Sequence, residues 1–161
     1  MKLSEWSAIA EIIGAAGIIG SLIFVGTEIQ QNTSAIRTNT VQAIADQATT
    51  ISLAFATDDR LADLVYELRD ETPLASSETS RGDMMRMDMA IRAQLRRVEN
   101  IYLHVHGGAL EAAALNRVGY GWYTIPYVKR YWDLAKSGFD PEFADFMDKK
   151  LLELMRERQD R

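Results

Sequence analysis

The chain has 161 residues, with 18 Lys and Arg against 23 Asp and Glu, a formal net charge of −5 and no cysteine. That length suits one domain with a modest core, or a smaller domain with an appendage. The acidic balance argues against a general nucleic-acid binder, which needs a basic stripe to displace counterions from phosphates, and the missing thiols exclude a disulfide framework, a thiolate zinc site and a Cys nucleophile.

Strand signals are poor. There is no sustained alternation of apolar and polar residues and no Asn-Gly or Asp-Gly hairpin turn, whereas the helix formers Ala, Leu, Glu, Arg and Met are plentiful. The expected class is all-α: an N-terminal transmembrane helix continuing into a long juxtamembrane helix, then a small antiparallel helical bundle. Residues 1–30 are assigned to the anchor and 31–161 to a helical domain.

Trp6 to Thr27 reads WSAIAEIIGAAGIIGSLIFVGT, and its only charge is Glu11. At a rise of 1.5 Å per residue it spans about 33 Å, close to a hydrocarbon core of ~30 Å. The uncharged part alone, Ile12 to Thr27, spans about 24 Å and is short for that core. Glu11 therefore has to be tolerated near the membrane edge, one to two turns from the interface-type residue Trp6, by reaching headgroups or by taking a proton. Signal-peptide cleavage is not expected: Lys2 is followed by Glu5, Glu11 interrupts the apolar region, and no Ala-x-Ala-like site follows Thr27. The rival to insertion is a core helix buried on all sides by the rest of the chain.

The two faces of this helix differ. At 100° per residue Ala10, Gly14, Gly17 and Ser21 share one side, and Glu28 continues the line, while Ile12, Ile19 and Ile23 fall opposite with Ala16. Ala10-x-x-x-Gly14 and Gly17-x-x-x-Ser21 are small-xxx-small pairs of the kind that let helix backbones approach closely in lipid. They point to a self-association seam with the isoleucines facing lipid. The flanking bases, Lys2 and Arg37, are balanced and assign no orientation.

From Thr27 to Thr72 there is no glycine or proline, and the stripe Ile29, Thr33, Ile36, Thr40, Ile44, Ala48, Ile51, Phe55 steps by four and three. The membrane helix is thus expected to continue unbroken. A stop and restart is expected near Thr57-Asp58-Asp59, with Thr57 as N-cap and Leu61, Leu64, Val65 and Leu68 facing inward. Residues 71–80 read as a loop containing Pro73. A long helix follows, from about Ser80 to His106, with the stripe Met84, Met87, Ile91, Leu95, Val98, Ile101 and Val105, ended by Gly107-Gly108. A helix over about Ala109 to Asn116 leads to the glycine-aromatic stretch Val118 to Tyr123. Pro126 opens a helix carrying Tyr127, Val128, Tyr131, Trp132 and Leu134, and Asp140-Pro141-Glu142 starts the last one, which buries Phe143, Phe146, Met147, Leu151 and Leu154.

Chemistry is sparse. His104 and His106 lie two residues apart on a helix and point about 200° away from each other, so they do not chelate one metal. There is no His-Glu-x-x-His and no Glu-x-x-His pair. The acids Asp58, Asp59, Asp83 and Asp88 lack the spacing of a calcium loop. No catalytic residue, metal site or cofactor is assigned. Glu99, Asn100 and His104 form a possible polar network that either fixes helix packing or marks a site. The aromatics Tyr120, Trp122, Tyr123, Tyr127 and Trp132 read first as core; left exposed, they would be the best candidate partner surface.

Several pieces together carry a family resemblance. Trp6, Glu11-Ile12-Ile13-Gly14, Ser21-Leu22-Ile23-Phe24-Val25 and Gln31-Asn32-Thr33 resemble the start of a widespread family of uncharacterised bacterial proteins that open with one predicted membrane helix followed by a Gln-Asn-Thr element. Val98-Glu99-Asn100-Ile101-Tyr102, Trp132 and Asp140-Pro141-Glu142-Phe143 are similar to its later blocks. Where members often carry a basic residue before Gln-Asn-Thr, this chain has Gln30. The resemblance implies membrane attachment and a helical fold, and transfers no catalytic residue.

The expectation is a non-enzymatic single-pass protein of the bacterial inner membrane. Its partners would be the bilayer, a second copy of itself and, as a scaffold or accessory, another membrane protein. One alternative is a small oligomeric pore with Glu28, Ser21 and Gly14 facing the path; another is a soluble bundle binding a hydrophobic ligand or partner.

Overall fold

The structure, a computed structural model, describes residues 3–69 and 79–160. Among these residues every regular element is helical and there is no strand, so the all-α class holds. The chain divides into two compact units, Met1–Asn39 and Thr40–Arg161.

The first unit is helix throughout its described residues, as the amino-terminal part of α1 (Leu3–Thr57). Gly14, Gly17, Gly20 and Gly26 do not interrupt it. The polar side chains turn back onto their own backbone: the Ser21, Thr27 and Thr33 hydroxyls donate to the carbonyls of Gly17, Phe24 and Ile29 at 2.9, 2.7 and 2.9 Å. Such back-bonding satisfies a hydroxyl without water. Ile29 and Ile36 of the stripe are exposed in the first unit, and Thr40 is the first stripe residue to be buried.

In the second unit, the rest of α1 offers a narrow, half-buried stripe of Ile44, Gln47, Ala48, Ile51 and Phe55, spaced by three and four as one helical face requires. The helix stops at Thr57. The expected cap residue is displaced by one position. Thr57 donates its hydroxyl back to Leu53 O (2.7 Å), whereas the Asp58 carboxylate accepts from the Leu61 amide (3.0 Å) and starts α2, Asp59–Arg69. An ionised acceptor at that position also meets the positive end of the helix dipole. Leu61, Leu64 and Leu68 are buried, as their spacing implies. Most of the loop expected over 71–80 lies outside the described residues.

α3, Arg81–His106, begins with a reciprocal cap: Ser80 Oγ accepts from the Asp83 amide at 3.0 Å, and Asp83 Oδ2 accepts from the Ser80 amide at 3.3 Å. Met87, Ile91, Leu95, Val98 and Ile101 are buried; Met84, at the start of the same stripe, is exposed. Gly107 and Gly108 end the helix. Gly108 takes φ +74°, a left-handed conformation in which a Cβ is strained, and the next two amides, Ala109 and Leu110, both close on His104 O.

The helix expected over 109–116 shrinks to one turn, α4 (Ala113–Asn116), in which no residue is fully buried. A 3₁₀ turn at Tyr120–Thr124 leads into α5, Pro126–Ala135. Asp140 caps α6, Pro141–Gln159, by accepting from the Glu142 and Phe143 amides at 3.0 Å each. One core joins α2, α3, the 3₁₀ turn, α5 and α6 through Leu64, Leu95, Val98, Tyr123, Val128, Trp132, Phe143 and Met147.

Candidate functional site

The first unit presents the most unusual surface. A lone helix has nothing of its own unit to pack against: Ile12, Ile19 and Ile23 are 69%, 57% and 63% exposed, and Trp6, Ile13, Ile18, Leu22 and Phe24 are exposed too. From Ala10 onward α1 is long and apolar enough to cross a membrane. Ala10, Gly14, Gly17, Ser21 and Glu28 are likewise exposed along their shared face. A Cβ added at Gly14, Gly17, Gly20 or Gly26 would meet nothing within 4 Å. Each glycine costs a helix about 0.5–1 kcal/mol relative to alanine, so contacts among the described residues of this unit give no reason for four of them. Below the seam, Val25, Glu28, Gln31, Asn32 and Ala35 outline a shallow groove.

The residues proposed as one polar network separate into different contacts. Glu99 is buried on the α3–α6 side, where its carboxylate accepts from Arg96 and, at 2.7 Å, from the Asp140 amide. Arg96 continues the connection by donating to Gly138 O at 2.7 Å and lying 4.2 Å over the Phe139 ring. Glu99 therefore clamps the start of α6 onto α3. Asn100 turns elsewhere and donates to Gln47 Oε1 of α1 at 3.2 Å. His104 is exposed, and its role at the helix end is played by its backbone carbonyl.

The aromatic stretch is core rather than a partner surface. Tyr120, Tyr123 and Trp132 are buried, and Trp122 and Tyr127 half-buried. The 3₁₀ turn and α5 wrap these rings over α3 and α6 because aromatic area is the largest apolar payload the chain has to hide. Trp132 meets Phe139 and Phe143 at centroid distances of 5.4 and 5.8 Å and donates its indole N–H to Asp148 Oδ1 at 2.7 Å. Asp148 also takes the Lys136 ammonium at 2.6 Å. Burial pushes the Asp148 carboxyl up, but Lys136 and Trp132 together outweigh it and hold the group below its usual value. Burial also pushes the Tyr120 phenol up to about 12.

An ionic junction that the sequence did not announce joins the starts of α2 and α3. Buried Asp83 receives Arg60 at 2.9 Å and Arg86 at 3.2 Å, and Arg86 lies 3.9 Å from Asp58. Its one legible trace was the Ser80-x-x-Asp83 spacing; the arginine partners depend on how the helices pack. The Arg60 hydrogen bond, then those from Ser80, hold the Asp83 carboxyl well below the usual range against the opposing effect of burial. A depressed carboxyl stabilises the fold above its unfolded-state value and loses that contribution as pH falls toward the folded one. The melting temperature should thus stay level from neutral pH to about 4 and fall below it. Asp83→Asn should melt earlier at neutral pH and converge on the parent in acid. A gap that persists unchanged in acid would remove the ionic explanation.

Beside this junction Ile51, Ala54, Phe55, Leu61, Met85 and Met89 line an apolar groove of about 410 Å³. Among the described residues, no group of three or more His, Asp or Glu side chains is placed to hold a metal ion. No protein-family model, curated protein or solved structure matches the chain.

Proposed function

We propose that the chain is a non-enzymatic, single-pass protein of a bacterial inner membrane. In this reading α1 crosses the bilayer, pairs with a second copy through Ala10, Gly14, Gly17, Ser21 and Glu28, and carries a helical domain that acts as a scaffold or accessory to other membrane components. One observation carries it: a helix whose apolar side chains, from Ile12 through Ile29, are exposed along their whole length. In water that surface is unfavourable by about 25 cal/mol for each Å² of apolar area, and lipid tails remove the cost. The internally bonded Ser21 and Thr27 hydroxyls suit the same surroundings. The otherwise unexplained glycines suit close approach of a second backbone. Membership of the Gln-Asn-Thr family, and with it the bacterial setting, rests on the resemblance of the opening and later blocks.

Carbonate extraction of membranes tests insertion; the chain should stay in the pellet, and its release would end the reading. Sedimentation in detergent tests pairing. The parent should run as an oligomer and Gly14→Ile/Gly17→Ile as a monomer, with unchanged helicity. An oligomer that survives both substitutions would remove the seam.

A further inference from the structure

We infer that the apolar groove between α1 and α3 of the Thr40–Arg161 unit docks an acidic amphipathic helix from a partner protein. Docking there gives the accessory role proposed above a partner chemistry, and it rests on this unit alone rather than on insertion of α1. At Gln47, α1 is tied to α3 by the Asn100 hydrogen bond of 3.2 Å. Further along, the side chains lining the space between the two helices include Ala54, Ala90 and Ala93, which are too small to fill it. The hollow left there, about 410 Å³, is in the size range of clefts that take ligands. Its outer wall is Met85 and Met89, which are 60% and 47% exposed. Methionine is flexible and polarisable, so such a wall adapts to the apolar surface of a partner.

Charge decides which partner fits. Arg81, Met85, Met89 and Arg92 follow one another at steps of four, four and three, so they form one line along α3, two apolar side chains between two cations. Arg81 and Arg92 are exposed, and among the described residues neither lies within ion-pairing distance of a carboxylate. Their neighbours on α3 are engaged, Arg86 by Asp83 and Asp58, and Arg96 by Glu99. Asp88, one turn before Arg92, is turned to α5, where it accepts from Tyr127 at 3.0 Å. The line therefore ends in a cation on either side, about 16 Å apart. The lining residues of α3 run from Met85 to Ala93, so the trough follows that helix for about 12 Å, roughly two turns. An amphipathic helix meets both features. Its apolar side chains, three and four residues apart, enter the trough, and a carboxylate at each end meets an arginine. An apolar centre within a charged rim is also how stable interfaces are built.

The probe is a fluorescent synthetic helix with glutamate, leucine, leucine and glutamate at steps of four, three and four, which sets its carboxylates about 16 Å apart. A second peptide has lysine in place of both glutamates. Binding to the full chain in a non-ionic detergent would be read by fluorescence anisotropy against empty micelles. The parent should bind the glutamate helix at least about tenfold more tightly than the lysine helix, and Arg81→Glu/Arg92→Glu should reverse that order. Ala90→Leu/Ala93→Leu fills the hollow with good helix formers at positions that are not fully buried. It should keep the parent's melting temperature and weaken binding of the glutamate helix by at least about tenfold. Equal binding of the two peptides by the parent, binding of neither, or unchanged binding by the filled variant would overturn the inference. The chain has no cysteine, so Met89→Cys adds a single one. If that variant cross-links to a second copy and the glutamate helix does not protect it, the groove is covered by the chain itself and the partner helix is ruled out. None of these outcomes alters carbonate extraction, so the spanning reading stands or falls separately.

Discussion

Trp132→Ala should destabilise the Thr40–Arg161 unit by about 3–5 kcal/mol, the range for removing a large aromatic from a core. That is a sizeable share of the 5–15 kcal/mol available to a typical domain. Trp132 is fully buried, contacts the rings of Phe139 and Phe143, and ties α5 to α6 through Asp148. Trp132→Phe keeps one ring and loses the N–H and the remaining volume of the indole, so it should fall between the parent and the alanine variant. Leu134, two residues away on α5, is 79% exposed, and Leu134→Ala should be near neutral. Denaturant unfolding of the full chain in detergent, followed by near-ultraviolet circular dichroism, reads all three. If Trp132→Ala and Leu134→Ala shift the midpoint equally, α5 does not pack as described.

The second large effect concerns the membrane. Ile19→Arg/Ile23→Arg places two cations in the middle of the apolar run, on the side away from the small-residue seam. Each central arginine costs insertion about 2.5–3.5 kcal/mol, and the pair should shift partitioning by several powers of ten. The doubly substituted chain should leave the carbonate-resistant pellet. Ile36→Arg, equally apolar in origin but beyond the Gln-Asn-Thr element, should remain there. Retention of the double variant would show that α1 does not sit among lipid tails. Because the seam is untouched, this result is independent of pairing.

Much of the molecule was legible locally. Helix α6 is written in Asp140-Pro141-Glu142, where an acid accepts amides and a proline fills a position that has no hydrogen bond to give. The core face of α3 follows from apolar residues at three- and four-residue spacing, and its end from Gly107-Gly108. These features depend on residues within one or two turns of each other, so periodicity and cap chemistry suffice to find them. The unbroken course of α1 follows from residues recurring at three- and four-residue spacing and from the absence of proline.

What the sequence by itself determined is the helical class, the ends of α3 and α6, and an amino-terminal helix apolar enough for lipid. Only the tertiary structure decided that Glu99 and Asn100 serve different contacts, that Tyr120, Tyr123 and Trp132 are interior, and that Asp83 gathers Arg60 and Arg86. Each of those outcomes joins residues from different helices. Helical periodicity shows which side chains share a face; which face meets another depends on how the rings and aliphatic groups fill the space between helices, and that is settled only when the helices pack.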